Sequence, residues 1–318
     1  MQVIFFQPFF QEKIWGGNKL QTEFGLTIPS QSTGEAWMIS AHSNGQSIVT
    51  SPEIYQGRSL AELYAEEPQL FGPNQPKVFP LLIKILDARE ALSIQVHPDD
   101  EYAAEHEGPN ELGKTECWYI ISADEGAKIV YGHHAQTLED FQAYIHEGKF
   151  MELFREIPVE TGDFFDVPAG TIHAIGGGIT ILETQQSSDT TYRVYDYDRK
   201  DTFGKTRELH LSQVEDVTMI PHKDSPYTKQ NADYQINELE VLLSNDFFEV
   251  YRVQVSGEMK LNLSDKYYLA TVIEGDGEIL LDNHTYLLPL ATAFILPYGK
   301  KDIHLEGSCT LILTCAIY

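Results

Sequence analysis

From Lys77 onward the chain breaks into short runs of apolar and β-branched residues, each closed by Gly, Pro or Asp. This punctuation constrains the fold more than any other feature. Such runs are too brief for core helices, whereas turn residues at even spacing join strands into a sandwich or barrel. The predicted strands of this region are 79–86, 91–97, 116–122, 127–131, 163–167, 179–184 and 191–197. Helices are few. Ser59 with Glu62, and Thr137 with Asp140, have capping-box spacing ahead of the apolar-periodic stretches 60–70 and 138–157, the second interrupted at Gly148. The expectation is a mainly β fold with a small helical insert near residues 134–160.

A polar, proline-containing stretch at 218–234 precedes a second set of short strands, at 250–255, 267–274, 278–281, 285–288, 293–296 and 310–314. The predicted organisation is a domain over 1–217, a linker over 218–234 and a C-terminal domain over 235–318. A length of 318 residues suits two units, at roughly 150 residues per domain. Forty-eight acidic against 22 basic residues give a net charge of −26, which argues against nucleic-acid backbones and anionic lipid, since both demand clustered Lys and Arg. The 42% hydrophobic content is too rich for a disordered chain. Cys117, Cys309 and Cys315 are odd in number and lack CxxC spacing, so neither a disulfide scaffold nor a thiolate zinc site is expected. A reduced, cytoplasmic setting follows. The first residues lack a basic region and cleavage site, and no apolar run is long enough to span a membrane. The sequence leaves the oligomeric state open.

Three segments carry candidate chemistry. Alternation in a strand over 91–97 would put Ser93, Gln95 and His97 on one face and Leu92, Ile94 and Val96 on the other. Taken alone, this is an ordinary half-solvated strand. Glu116 opens a second strand just after Lys114, and a carboxylate there is commonly solvent-facing. The third segment, Gly162 to His173, has the form G-x5-P-x-G-x2-H. Pro168 and Gly170 are accounted for by a tight turn, but turn chemistry does not account for His173.

This third pattern resembles the second motif of the cupin superfamily, and Gln95-x-His97 followed by Glu116 resembles a variant of its first motif, with Gln in place of the usual His. The resemblance implies a jelly-roll barrel with a divalent metal in its lumen. His97, Glu116 and His173 are suitable zinc ligands, Gln95 could add an amide oxygen, and an open position would remain for water or substrate. The match extends further. Residues 91–99, 113–118, 167–174 and 182–199, with Trp15-Gly16-Gly17 and Gly34-Glu35-Ala36-Trp37, together resemble the class I mannose-6-phosphate isomerases of the short, Gram-positive bacterial type. Thr115 departs from the pattern, since many members have proline between the Lys and the Glu. Gly275-x-Gly277 and residues 291–299 resemble a second cupin without the ligand set, so two cupin barrels in tandem are expected.

The resemblance implies reversible isomerisation of mannose 6-phosphate and fructose 6-phosphate through an enediol, with one Zn²⁺ per chain. It assigns Gln95, His97, Glu116 and His173 to the metal, Arg193, Lys114 and Asp189 to catalysis, and Ser93, Lys114 and Arg193 to the hexose phosphate. Moving a proton between adjacent sugar carbons develops negative charge on O1 and O2, which a metal or fixed cation stabilises. Arg193, always protonated, suits that role. The proton-transferring base is left among Lys114, Asp189 and a metal-bound hydroxide. An iron-dependent cupin oxygenase or a non-catalytic sugar-phosphate-binding module are the rival classes, distinguishable by oxygen consumption and by binding without turnover. The acidic surface does not bar an anionic substrate, because charge is screened over about 8 Å in physiological salt. Other features read as structural: His133-His134 as a surface loop, Cys117 as buried packing, and Tyr192, Tyr195 and Tyr197 as lumen lining or cross-strand pairs.

Overall fold

The computed structural model describes residues 2–200 and 204–318. Strand makes up 43% and helix 14%, so the mainly β expectation holds. The chain divides into two compact units: Met1–Gln11, Asn18–Ile85 and Asp233–Tyr318 form one, and Glu12–Gly17 with Leu86–Ala232 the other. The predicted sequential boundaries at 217 and 235 therefore differ from the observed division, in which N-terminal segments join the C-terminal barrel.

Strand pairing explains the join. Ile4–Gln7 lies antiparallel to Ala293–Leu296, with Ile4 opposite Ile295, and also pairs with Ile48–Ser51. An uncovered sheet edge exposes unpaired N–H and C=O groups, and this pairing satisfies them while Val3 enters the core cluster. The C-terminal strands are longer than expected. Phe248–Leu263 and Lys301–Ala316 pair in register throughout, and Tyr268–Leu281 runs beside them as a single strand. The sequence reading broke these strands at glycine. Gly275, however, sits where a Cβ would collide with the Ser308 carbonyl, so there the residue permits close backbone approach within a sheet.

The second unit holds the candidate site. One antiparallel sheet orders Phe164–Val167, Glu116–Ala123 and Ile179–Gln186 as neighbours; the other orders Tyr192–Tyr195, Ile94–Val96, His173–Ile175, Lys128–His133 and Phe154–Pro158. Trp118, Ile120, Phe165 and Ile181 from the first sheet share a core cluster with Ile129, Tyr131 and Ile175 from the second. The result is two antiparallel sheets packed face to face over a shared core. A further cluster joins Val96, Val130 and Val194 to Phe141, Ile145 and Val214 of the helices Leu138–His146 and Leu211–Val217.

Local signals hold where caps were read. Ser59 and Glu62 form a reciprocal capping box at the start of Leu60–Glu66, and the Thr137 side chain accepts from the Asp140 N–H. The predicted helix over 138–157 ends early, as Leu138–His146 and Phe150–Leu153, and Phe154–Pro158 is a strand with Ile157 opposite Ile129. An available sheet edge outweighs the helical pattern there. The stretch read as a linker is fastened to this unit. Phe164 and Lys229 exchange backbone hydrogen bonds, Met219 N donates to Gly170 O, and Ser225 Oγ donates to Asp166 Oδ2 at 2.6 Å. His133, expected in a surface loop, is a buried strand residue with Nε2 3.0 Å from the Met219 carbonyl, while His134 is exposed. Its packing partners come from distant segments, which adjacency in sequence does not reveal.

Candidate active site

His97, Glu116 and His173 are brought together at strand ends. His97 follows Ile94–Val96, Glu116 opens Glu116–Ala123, and His173 opens His173–Ile175 directly opposite Gln95. The Pro168–Thr171 turn closes through a hydrogen bond from Thr171 N to Pro168 O, and Gly170, at φ 84°, donates its N–H to the His97 carbonyl. That left-handed position suits glycine, and the bond ties the turn to the strand end carrying His97.

All three side chains are buried, with ligand-type atoms within 4.8 Å of one another. Nε2 of His97 lies 3.4 Å from Glu116 Oε2, and Nε2 of His173 lies 3.4 Å from Glu116 Oε1. Each imidazole is tethered through its other nitrogen: Nδ1 of His97 to the Thr190 carbonyl and Nδ1 of His173 to the Thr171 carbonyl, both at 2.8 Å. A carbonyl only accepts, so both Nδ1 atoms carry a proton and both Nε2 atoms are turned toward Glu116. Burial, reinforced by the Lys114 charge, pushes the His173 pKa down to about 4, keeping that ring neutral. Trp118 Nε1 donates to Glu116 Oε1 at 3.0 Å. Two imidazoles with tethered Nδ1–H groups and one carboxylate form a fitting zinc donor set. Gln95 is half-buried with its amide 3.3 Å from His173 Nε2, and an amide flip would present its oxygen instead.

Lys114 joins the cluster. Its ammonium lies 3.0 Å from Glu116 Oε2 and 3.1 Å from His97 Nε2. Its backbone N donates to Pro98 O. The side chain at the departure position, Thr115, accepts from Ala169 N, and the Thr115 N–H donates to Gln186 Oε1 at 2.9 Å. Gln186 also bonds Asp100, the first residue of the helix Asp100–His106. Neither Gln186 nor Asp100 was a sequence candidate. Their relation to residue 115 spans 71 and 15 positions and leaves no periodic signal.

Arg193 stands opposite Gln95 in the neighbouring strand. It is half-buried, and its Nε is buried without a hydrogen-bond partner. Burial, followed by the nearby Arg207 charge, lowers the guanidinium pKa from its ordinary value, against the opposing pull of Asp196 and Asp189. Asp189 is exposed and outside the ligand cluster, and its charge bears on Arg193. Ser93 is buried just ahead of Ile94–Val96, on the Gln95 and His97 side of the alternation. Tyr192 and Tyr195 belong to the packing between sheet and helices: Tyr192 OH donates to Glu107 and Tyr195 stacks on Phe150. Cys117 is buried, and burial raises its thiol pKa well above the ordinary value, in line with a packing role.

Known proteins resemble this chain over nearly its whole length. The family described as phosphomannose isomerase type I, catalytic domain, matches residues 4–121, and that described as mannose-6-phosphate isomerase, cupin domain, matches residues 238–316. A mannose-6-phosphate isomerase of Streptococcus mutans is 52% identical, over 97% of this chain and 96% of that protein. One of Bacillus subtilis is 47% identical, over 98% of each. The crystal structure of a Bacillus subtilis mannose 6-phosphate isomerase superposes with a TM-score of 0.93 at 43% identity, covering 99% of both chains. A putative mannosephosphate isomerase from Archaeoglobus fulgidus, 19% identical, shares the fold at a TM-score of 0.80, with 100% of this chain and 99% of that one covered.

Proposed function

The chain belongs to the type I phosphomannose isomerases, and we propose that it interconverts mannose 6-phosphate and fructose 6-phosphate through an enediol at one zinc ion held by His97, Glu116, His173 and Gln95. The observation that carries this reading is the buried convergence of one carboxylate and two imidazoles whose Nδ1 atoms are tethered to carbonyls. A zinc ion bound there, carrying a net charge of about +1 with one carboxylate ligand, supplies Lewis acidity toward sugar oxygens.

The chain's own residues provide the rest. Isomerisation removes a proton from C2 of the aldose and returns one to C1, with charge developing on O1 and O2. Arg193 keeps its proton despite burial, because a guanidinium does not deprotonate in proteins, and its fork stabilises an oxyanion. Lys114 and Asp189 are the side-chain candidates for moving the proton. The buried place of Lys114 beside His97 and Glu116 favours it over exposed Asp189, whose charge bears on Arg193. His97 Nε2 has one lone pair, so a metal held there would take it from the Lys114 ammonium, which would keep Glu116 and have a donor left for a sugar oxygen. Ser93, on the same side of its strand, is a hydroxyl contact for the hexose phosphate.

Cytoplasmic residence is part of the reading. It is supported by three buried, free cysteines, and among the described residues no helix is long and apolar enough to cross a membrane. The test is a coupled assay of mannose 6-phosphate conversion with metal analysis of the same sample. Turnover proportional to bound zinc is expected, and zinc-loaded protein without conversion would overturn the assignment.

A further inference from the structure

We propose that Gln186 is a positioning residue for Lys114, acting through the backbone of Thr115; the inference rests on the reading of Lys114 as a group that acts on the sugar. Lysine carries its charge on a flexible four-carbon stem, so the place of its ammonium depends on how firmly its backbone is held. Four bonds hold that backbone. Gly113 N donates to Asp100 Oδ1 at 2.7 Å, Lys114 N donates to Pro98 O at 2.9 Å, and Thr115 N donates to Gln186 Oε1 at 2.9 Å. Gln186 N returns a bond to Thr115 O at 3.1 Å.

Gln186 is the piece that links these supports. It is 4% exposed and ends the strand Ile179–Gln186. Its Nε2 donates to Asp100 Oδ1 at 2.9 Å, the oxygen that also receives Gly113 N. Because an ionised carboxylate only accepts and a backbone N–H only donates, these two partners fix which end of the amide faces each. One primary amide thus spans from the segment before Lys114 to the residue after it. A Cβ on Gly113 would collide with the backbone of Asp99 and Asp100, so the segment is also held against the helix start. Glu116, a proposed metal ligand, comes next in the chain, so the same clamp fixes the step from base to ligand.

The chemistry of residue 115 gives the test. Threonine there has a free φ and an N–H that needs an acceptor, whereas proline would fix φ and remove the donor. The clamp should therefore matter with threonine and matter much less with proline. Gln186→Met, read in the zinc-loaded enzyme, is expected to lower kcat about tenfold with KM within about twofold, because displacements near 1 Å at reacting groups carry losses of that order and more. Zinc content should be unchanged, and exchange of the Thr115 amide hydrogen should become faster. In the Thr115→Pro background the same Gln186 change should cost less than about twofold relative to its own parent, a coupling that a double-mutant cycle isolates. The doubly substituted protein has no N–H at residue 115 to be orphaned, and the loss of Thr115 Oγ1 as acceptor for Ala169 N is common to it and its Thr115→Pro parent, so this pair serves as the folded comparison should Gln186→Met alone prove unstable. Equal losses in both backgrounds, or unchanged kcat with threonine present, overturn the proposal. Lys114→Met measured alongside separates the two readings: normal kcat in that variant overturns the role of Lys114 itself.

Discussion

The Lys114 ammonium lies 3.0 Å from Glu116 Oε2, with the two side chains 5% and 1% exposed. A buried ion pair of this kind contributes little by existing, but removing one partner leaves an uncompensated charge in a low-dielectric interior. Glu116→Gln is therefore expected to lower the stability of the metal-free protein by about 3 kcal/mol. Adding Lys114→Met should recover most of that loss. Equilibrium unfolding of the single and double variants checks it, and additive losses would contradict the coupling.

Removal of metal should abolish turnover. Dialysis against a chelator is expected to leave a folded but inactive protein, and stoichiometric Zn²⁺ to restore activity. Full activity in protein shown to be metal-free would refute the zinc reading.

Arg193 has a buried Nε with no hydrogen-bond partner, on the strand beside Gln95. Arg193→Ala should retain zinc and lose about 10²- to 10³-fold in kcat, the range seen when an oxyanion-stabilising donor is removed. Arg193→Lys should recover only part, since an ammonium lacks the planar fork. Metal content and kcat measured on the same preparations decide the matter, and near-normal kcat in the alanine variant would exclude an electrostatic role.

Asp166 offers a test by pH. Burial raises its carboxyl pKa from 3.8 to about 6, against the opposing hydrogen bond from Ser225. The folded state thus holds the proton more tightly than the unfolded state. The resulting stabilisation is complete below about pH 3.8 and is lost as pH rises through about 6. At pH 7.5 the ionised carboxylate is a burden, so Asp166→Asn should be the more stable protein by up to about 3 kcal/mol. At pH 4 that advantage should have largely gone. Urea midpoints at the two pH values report the difference, and an advantage independent of pH would count against the assigned cause.

Much of the site is legible in the sequence because its determinants are local. Gly162 to His173 encodes a turn and the histidine beyond it within one segment; strand alternation puts Gln95 and His97 on one face, and the resemblance to the cupin motifs joins them to Glu116 and His173. The structure gathers His97, Glu116 and His173, with Lys114 and Gln95 beside them. Long-range partners have no such signature. The Gln186 side chain reaches Thr115 only because two distant chain segments become neighbours. His133 reads as a loop residue until the Met219 carbonyl and the Phe141 ring are placed against it. Residues 154–158 carry a helix-like pattern that pairing with Lys128–His133 overrides.

The sequence by itself determined that the chain is mainly β and where several turns fall, since side-chain periodicity and turn chemistry act over a few residues, and its resemblance to the cupin motifs singled out the carboxylate and imidazoles that could meet. Only the tertiary structure decided that Ile4–Gln7 completes the C-terminal barrel's sheet and that residues 218–232 lie fastened against the catalytic unit. It also decided that Lys114, rather than Asp189, sits inside the buried cluster. The physical reason is common to all three. Backbone hydrogen-bond satisfaction at sheet edges and the burial of charge are set by which distant segments meet, and that information is absent from any local window.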